Sequence, residues 1–261
     1  MSNLALALRD SSTMLRRNLL HARRYPSLTL NLLLTPVMLL LLFVYVFGDA
    51  MSAGIGGGDR SDYIAYIVPG LLLMTIGSTT IGTAVSVAND MTEGIIARFR
   101  TMAIHRGSVL VGHVVGSVVQ SILSVVLVSA VGVAIGFRSA DATALEWLAA
   151  FGLLVLFTLA LTWIAVGMGL VSPNAEAASN NAMPLIFLPL ISSAFVPVDS
   201  MPGWFQPVAE YQPFTPAIET LRGLLLGTGI GHNGWLAVVW SLALTALGYL
   251  WATAKFNNDP K

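Results

Sequence analysis

The chain has 261 residues, 56% of them hydrophobic and 10% charged, with a net charge of zero and no cysteine. Soluble domains carry about 25% charged residues, so this composition excludes a chain that covers itself with water-facing surface; lipid must solvate most of it. The neutral balance excludes nucleic acid as an expected partner, and the missing thiols exclude disulfides, thiolate metal sites and cysteine nucleophiles.

Residues 3–24 come first. Leu4, Leu8, Leu15 and Leu19 share one helical stripe, with Arg9, Arg16 and Arg23 at its flank and Arg17 and Arg24 opposite. That is the pattern of a helix lying in the membrane interface with arginines reaching the headgroups; a basic tail that only sets topology is the other reading. Six apolar stretches follow, expected as transmembrane helices over 28–47, 63–88, 109–137, 145–171, 177–196 and 235–253. The first, Leu28 to Phe47, has twenty residues. At ~1.5 Å each these reach the ~30 Å of a hydrocarbon core, and they outrun the roughly 7–15 apolar residues of a cleaved signal. Pro36 interrupts this stretch, and Pro184 and Pro189 interrupt the fifth. Such breaks are tolerated where neighbours satisfy the freed backbone or a cavity is lined, so they are either packing irregularities or parts of a moving, substrate-lining element.

The loop at 89–107 is amphipathic. Ile95, Phe99 and Met102 fall on one helical face, Arg98 and Arg100 flank it, and Asp90 and Glu93 stand at its start, where carboxylates favour a helix N-terminus. Its apolar face either lies on lipid or seats in a groove on a partner. In the third stretch His113, Ser117, Gln120 and Ser124 recur at i, i+4, i+7 and i+11, beside Gly112 and Gly116. This stripe is either packing glue between helices or the lining of a pathway. Intramembrane charge is otherwise nearly absent, which argues against coupling to protons or sodium, and no internal repeat of the inverted-repeat carriers is visible. Glu176, beside Asn174 in the 172–181 loop, is a solvated or capping residue.

The segment 197–233 holds Pro197, Pro202, Pro207, Pro213 and Pro216, with Trp204, Phe205, Tyr211 and Phe214 between them. Thr215 is placed to cap a helix with Pro216 at its first position, running to Leu226 and stopped by Gly227. Some eleven residues cannot span, so the segment is expected as a re-entrant or interfacial helical pair; a plain aromatic belt is the bland reading. With the N-terminus cytoplasmic, ten basic residues lie inside and only Arg60, Arg138 and Arg222 outside. That positive-inside bias requires an even number of spans, and six with both termini inside satisfy it.

Chemistry is scarce. A P-loop needs a lysine to reach the β and γ phosphates, and the only lysines are Lys255 and Lys261, beyond the last stretch. ATP binding of that kind is excluded, so any ATPase must be a separate chain. Asp90-Met-Thr-Glu93-Gly94 through Arg98 and Gly107 nearly copies half of the CDP-alcohol phosphotransferase signature. The second acidic pair that a dinuclear metal site requires is replaced by Val111 and Val115.

The run from Asp90-Met-Thr-Glu-Gly-Ile-Ile-Ala-Arg-Phe-Arg-Thr-Met to Gly112 resembles the signature loop of ABC-2 type permeases, in particular the daunorubicin-resistance (DrrB-like) subfamily. So does Phe195-Val-Pro-Val-Asp-Ser-Met-Pro-Gly-Trp-Phe-Gln206, followed by Gln212-Pro-Phe-Thr-Pro216 and Glu219-Thr-Leu-Arg222. One departure is Ala103, where the family commonly has proline. The resemblance implies an all-α membrane fold of the type V exporter kind, with an elbow helix at 3–24, six spans, a coupling helix within 89–107 and re-entrant helices within 197–233. It implies that Asp90, Glu93, Gly94, Ile95, Arg98, Phe99, Arg100 and Met102 belong to an ATPase contact. Pro197, Pro202, Trp204, Phe205, Pro213 and Pro216 would form an external gate, with His113, Ser117 and Gln120 as pathway or packing. It further implies no catalytic or metal residue in this chain, ATP and magnesium on a partner ATPase, and a second permease copy or sister. The implied role is outward movement of an amphipathic drug, antibiotic, lipid or glycan across a bacterial plasma membrane. The alternatives are an ATPase-independent channel or secondary transporter and, more remotely, a membrane lipid-synthesis enzyme.

Overall fold

The computed structural model describes residues 26–48, 59–93, 106–139 and 141–258, and among these every regular element is helical. The expected elbow at 3–24 and the centre of the 89–107 loop lie outside them. The elements are α1 (Pro26–Tyr45), α2 (Arg60–Thr92), α3 (Arg106–Ala134), α4 (Ala144–Val171), α5 (Ala175–Ala182), α6 (Pro184–Leu190), a 3-10 turn at Val198–Ser200, α7 (Gln206–Tyr211), α8 (Phe214–Leu226) and α9 (Asn233–Asn258). Four of them, α2, α3, α4 and α9, are long and apolar enough to cross a bilayer.

Capping fixes where the long helices begin. Asp59 accepts from the backbone N–H of Ser61 and Asp62, while Asp62 accepts from the Asp59 N–H, a reciprocal capping box at the head of α2. The Ser61 hydroxyl, then those N–H groups, hold the exposed Asp59 carboxyl below its ordinary range. Thr143 and Glu146 form the same box at the head of α4. Helix α2 has 33 residues, so at ~1.5 Å each it measures ~50 Å and exceeds a ~30 Å hydrocarbon core.

The fifth expected span is broken, for a backbone reason. Met183 keeps helical dihedrals, φ −49° and ψ −39°, so the chain runs on in one direction. Pro184 supplies no N–H to the ladder, and Pro189 removes a second. Helices α5 and α6 have eight and seven residues with Met183 between, only ~24 Å of helix. Asn174 caps α5 through Ala177 N–H at 2.8 Å.

Helix α2 is the hub, packing on α1, α3, α4, α5, α6 and α8. Tyr63, Ile67, Leu71, Leu73 and Ile76 of α2 are sealed in one core with Phe157 and Leu161 of α4 and Phe214, Ile218 and Leu221 of α8. Phe157 meets Phe214 edge-on at 5.0 Å. Helix α6 and the turn after it run against two glycines of α2: a Cβ on Gly77 would strike the Leu185 carbonyl of α6, and one on Gly70 would stand 2.7 Å from the Ala194 backbone in the turn. Phe43 of α1 packs on Phe195 with ring centroids 4.5 Å apart. Leu123, Val126 and Val133 on α3 and Leu242, Leu247 and Leu250 on α9 point outward, as helices do where lipid is the solvent.

Candidate functional site

At one end of the bundle, α2 and α3 meet through polar side chains. Asp90 Oδ2 lies 3.0 Å from His113 Nε2, with both groups buried. Thr83 donates to Ser117 at 2.5 Å, and the hydroxyls of Thr79 and Ser121 are 2.7 Å apart. Numbers fall along α2 as they rise along α3, the register of an antiparallel hairpin. The expected stripe on α3 is thereby resolved in part. His113 and Ser117 face α2, Ser124 bonds back to the Gln120 carbonyl at 3.0 Å, and the next rung is Ser121, one residue past Gln120. The signal for it lies on the other helix, where Thr75, Thr79 and Thr83 recur every four residues.

Asp90 and Glu93 need a correction. The sequence reading puts them at the head of a loop helix, yet α2 continues to Thr92 and Glu93 is its exposed C-cap. Carboxylates there oppose the helix dipole, and for Asp90 the His113 imidazole answers that charge. Gly94, Ile95, Arg98, Phe99, Arg100 and Met102 lie outside the described residues.

At the other end, the 197–233 segment divides in two. Pro213 and Pro216 belong to the largely buried α8, whereas Pro202 and Trp204 are exposed and Pro197 and Phe205 half-buried in an outer arm. Trp204 is 80% exposed and stacks edge-on with Phe205 at 5.3 Å. The arm is held by Trp240 of α9, whose indole donates to the Tyr211 carbonyl at 3.0 Å. Helix α8 begins at Phe214 with Pro213 as its N-cap, and Thr215 is no cap: its hydroxyl donates to the Ala209 carbonyl. Gly227 ends the helix in the left-handed region at φ +66°, a conformation glycine adopts without Cβ strain.

Arg222 joins this end together. From α8 its guanidinium donates to the Tyr66 carbonyl at 3.1 and 3.2 Å, to the Ser193 carbonyl at 2.9 Å and to Glu219 at 2.5 Å. It also lies 3.8 Å from the centre of the Tyr66 ring, and the Tyr66 hydroxyl donates to the same Ser193 carbonyl at 2.9 Å. In the sequence Arg222 is only one of three basic residues expected outside; the Glu219-x-x-Arg222 spacing was the available clue.

Between α1, α2 and α6 lies an apolar cleft of about 70 Å³, lined by Pro36, Leu71, Met74 and Ile186 among others. Ligand pockets occupy ~300–1,000 Å³, so this cleft holds no drug-sized molecule. Among the described residues no group of three or more His, Asp or Glu could hold a metal.

The sequence profile described as ABC-2 type transporter matches residues 10–226. The daunorubicin resistance ABC transporter permease protein DrrB1 of Streptomyces coeruleorubidus is 28% identical over 228 residues, 86% of this chain and 77% of that protein. "Probable doxorubicin resistance ABC transporter permease protein DrrC" of Mycobacterium tuberculosis (strain ATCC 25618 / H37Rv) is 24% identical, over 62% of this chain and 58% of that protein. Nodulation protein J of Rhizobium meliloti is 26% identical, covering 74% of each.

Proposed function

The chain belongs to the ABC-2 type transporter family, and from that premise we propose that it is the six-span permease subunit of an ATP-driven exporter. Membership makes it a multi-pass membrane subunit and implies a partner ATP-binding subunit. The finer reading is that it sits in a bacterial plasma membrane with both termini inside and moves an amphipathic drug, antibiotic, lipid or glycan outward. The observation that carries this is the continuous family match from residue 10 to residue 226, through the elbow, the loop and the outer segment. The names of two relatives support a drug substrate, and the apolar interior suits one.

The residues divide by role. The loop face of Ile95, Phe99 and Met102 seats on the ATPase, with Glu93, Gly94, Arg98 and Arg100 around it, whereas Asp90 is buried against His113 and stands behind that contact. The outer arm of Pro197, Pro202, Trp204 and Phe205, backed by Pro213 and Pro216 of α8, closes the external end. The pathway lies between two permease copies, identical or sister. His113 and Ser117 act in α2–α3 packing rather than in the pathway.

The test is co-expression with a candidate partner ATPase from the same organism. Wild type should co-purify with it and stimulate its hydrolysis, and the chain alone should hydrolyse no ATP. Truncating an aromatic anchor costs ~2 kcal/mol or more, over tenfold in affinity, so Phe99→Ala should lose the ATPase at unchanged membrane level. Equal recovery with Phe99→Ala would place the contact elsewhere.

A further inference from the structure

We propose that Asp90 and His113 are positioning residues that clasp α2 and α3 into one rigid hairpin, through which displacement of the loop between them reaches the outer end of the bundle. This rests on the reading of that loop as the ATPase contact.

The loop hangs between the end of α2 at Thr92 and the start of α3 at Arg106. Asp90 stands two residues inside that end. Thirty residues, or ~45 Å of helix, separate it from the cap at the far end of α2, so the clasp stands at the end of α2 that leads into the loop. Apolar contact alone holds helices weakly in lipid, because the tails are as apolar as the side chains. Register between α2 and α3 therefore depends on the polar rungs. A slip of one turn would let hydroxyl pairs re-form, Thr79 with Ser117 and Thr75 with Ser121, but it would unpair the Asp90–His113 contact, and buried polar groups left unpaired are costly. The hairpin thus has one deep register. A push on the loop moves both helices as a body, and α2 carries it to Tyr66, where Arg222 joins α8 and the Ser193 turn to it.

The cysteine-free chain allows a direct test. Thr83→Cys with Ser117→Cys replaces a rung whose hydroxyls are 2.5 Å apart, and oxidation ties the helices. Ser200→Cys on the outer arm reports motion through its labelling rate with an impermeant maleimide, with and without ATP trapped by vanadate on the partner ATPase. Wild-type clasp should give an ATP-dependent change in that rate. Asp90→Asn should shrink the change by about threefold or more while the ATPase still co-purifies and hydrolyses ATP, and the oxidised tie should restore it. An oxidised tie that abolishes the change in the otherwise unaltered hairpin would show that α2 and α3 must slide, which overturns the proposal. So would an undiminished response in Asp90→Asn, a loss the tie does not restore, or no response at Ser200→Cys with the ATPase bound and active. Failure of the unaltered hairpin to bind the ATPase would instead overturn the loop reading, and the lever with it. The tie in the Asp90 background of wild type tests rigidity even if Asp90→Asn fails to fold.

Discussion

The Arg222 guanidinium links Tyr66, 156 residues away in the chain, with Ser193, 29 residues away, and with Glu219 on its own helix. Its side chain is 10% exposed against 32% for Glu219, so water can solvate a widowed Glu219 but reaches the two carbonyls poorly. Arg222→Ala should therefore lower stability by about 2 kcal/mol, mainly through those acceptors. Arg222→Lys should recover only part, because an ammonium lacks the fork that serves two carbonyls and stacks on a ring. Thermal melting in detergent, followed by size-exclusion chromatography, would measure both. Indistinguishable melting of Arg222→Ala and wild type would show that the linkage carries no stability. This residue was hard to find in the sequence, because a lone external arginine suits a headgroup contact equally well. The Asp90–His113 pair was hidden for a related reason. Each residue fits a local role, and only the hairpin register brings them together.

Among the elements, long apolar runs were the legible part. The stretches at 63–88, 109–137, 145–171 and 235–253 each fall within or close to a helix, α2, α3, α4 or α9, because unbroken apolar sequence has no other way to satisfy its backbone in lipid. The proline-bearing fifth stretch was legible as irregular, though not as two short helices held in line by Met183. Less visible was the contrast within the outer segment, where α8 is core and the arm before it is exposed; both halves carry the same prolines and aromatics. The α2–α6 seam was invisible, since a glycine in an apolar run does not announce which backbone approaches it. At that seam Gly77→Leu should drive α6 away from the Leu185 carbonyl. Overpacking of this kind costs ~1–3 kcal/mol, and the folded fraction recovered from membranes should fall accordingly. Recovery and melting equal to wild type would mean that the close approach is not maintained in the bilayer.

For the whole molecule, the described helices form one bundle around α2, with the Asp90–His113 clasp at one end and the Arg222 linkage at the other. The proposed six-span topology assigns these ends to opposite sides of the membrane. Single cysteines at Ser2, Ser108, Ser139 and Ser200 test that assignment with an impermeant thiol reagent on intact cells. Ser139 and Ser200 should label from outside, and Ser2 and Ser108 only after permeabilisation. Labelling of Ser2→Cys from outside would reverse the orientation, and failure at Ser200→Cys would break the six-span count.

The central claim is that this chain conducts a substrate only when a separate subunit hydrolyses ATP. Inverted membrane vesicles containing the chain and its partner ATPase, offered daunorubicin and a panel of other amphipathic compounds, test it directly. Uptake into the vesicle lumen should require ATP, should vanish when the P-loop lysine of the ATPase is replaced, and should be absent with either subunit alone. Uptake by the chain alone, or uptake that persists with the disabled ATPase, would contradict the account and favour a channel or secondary carrier.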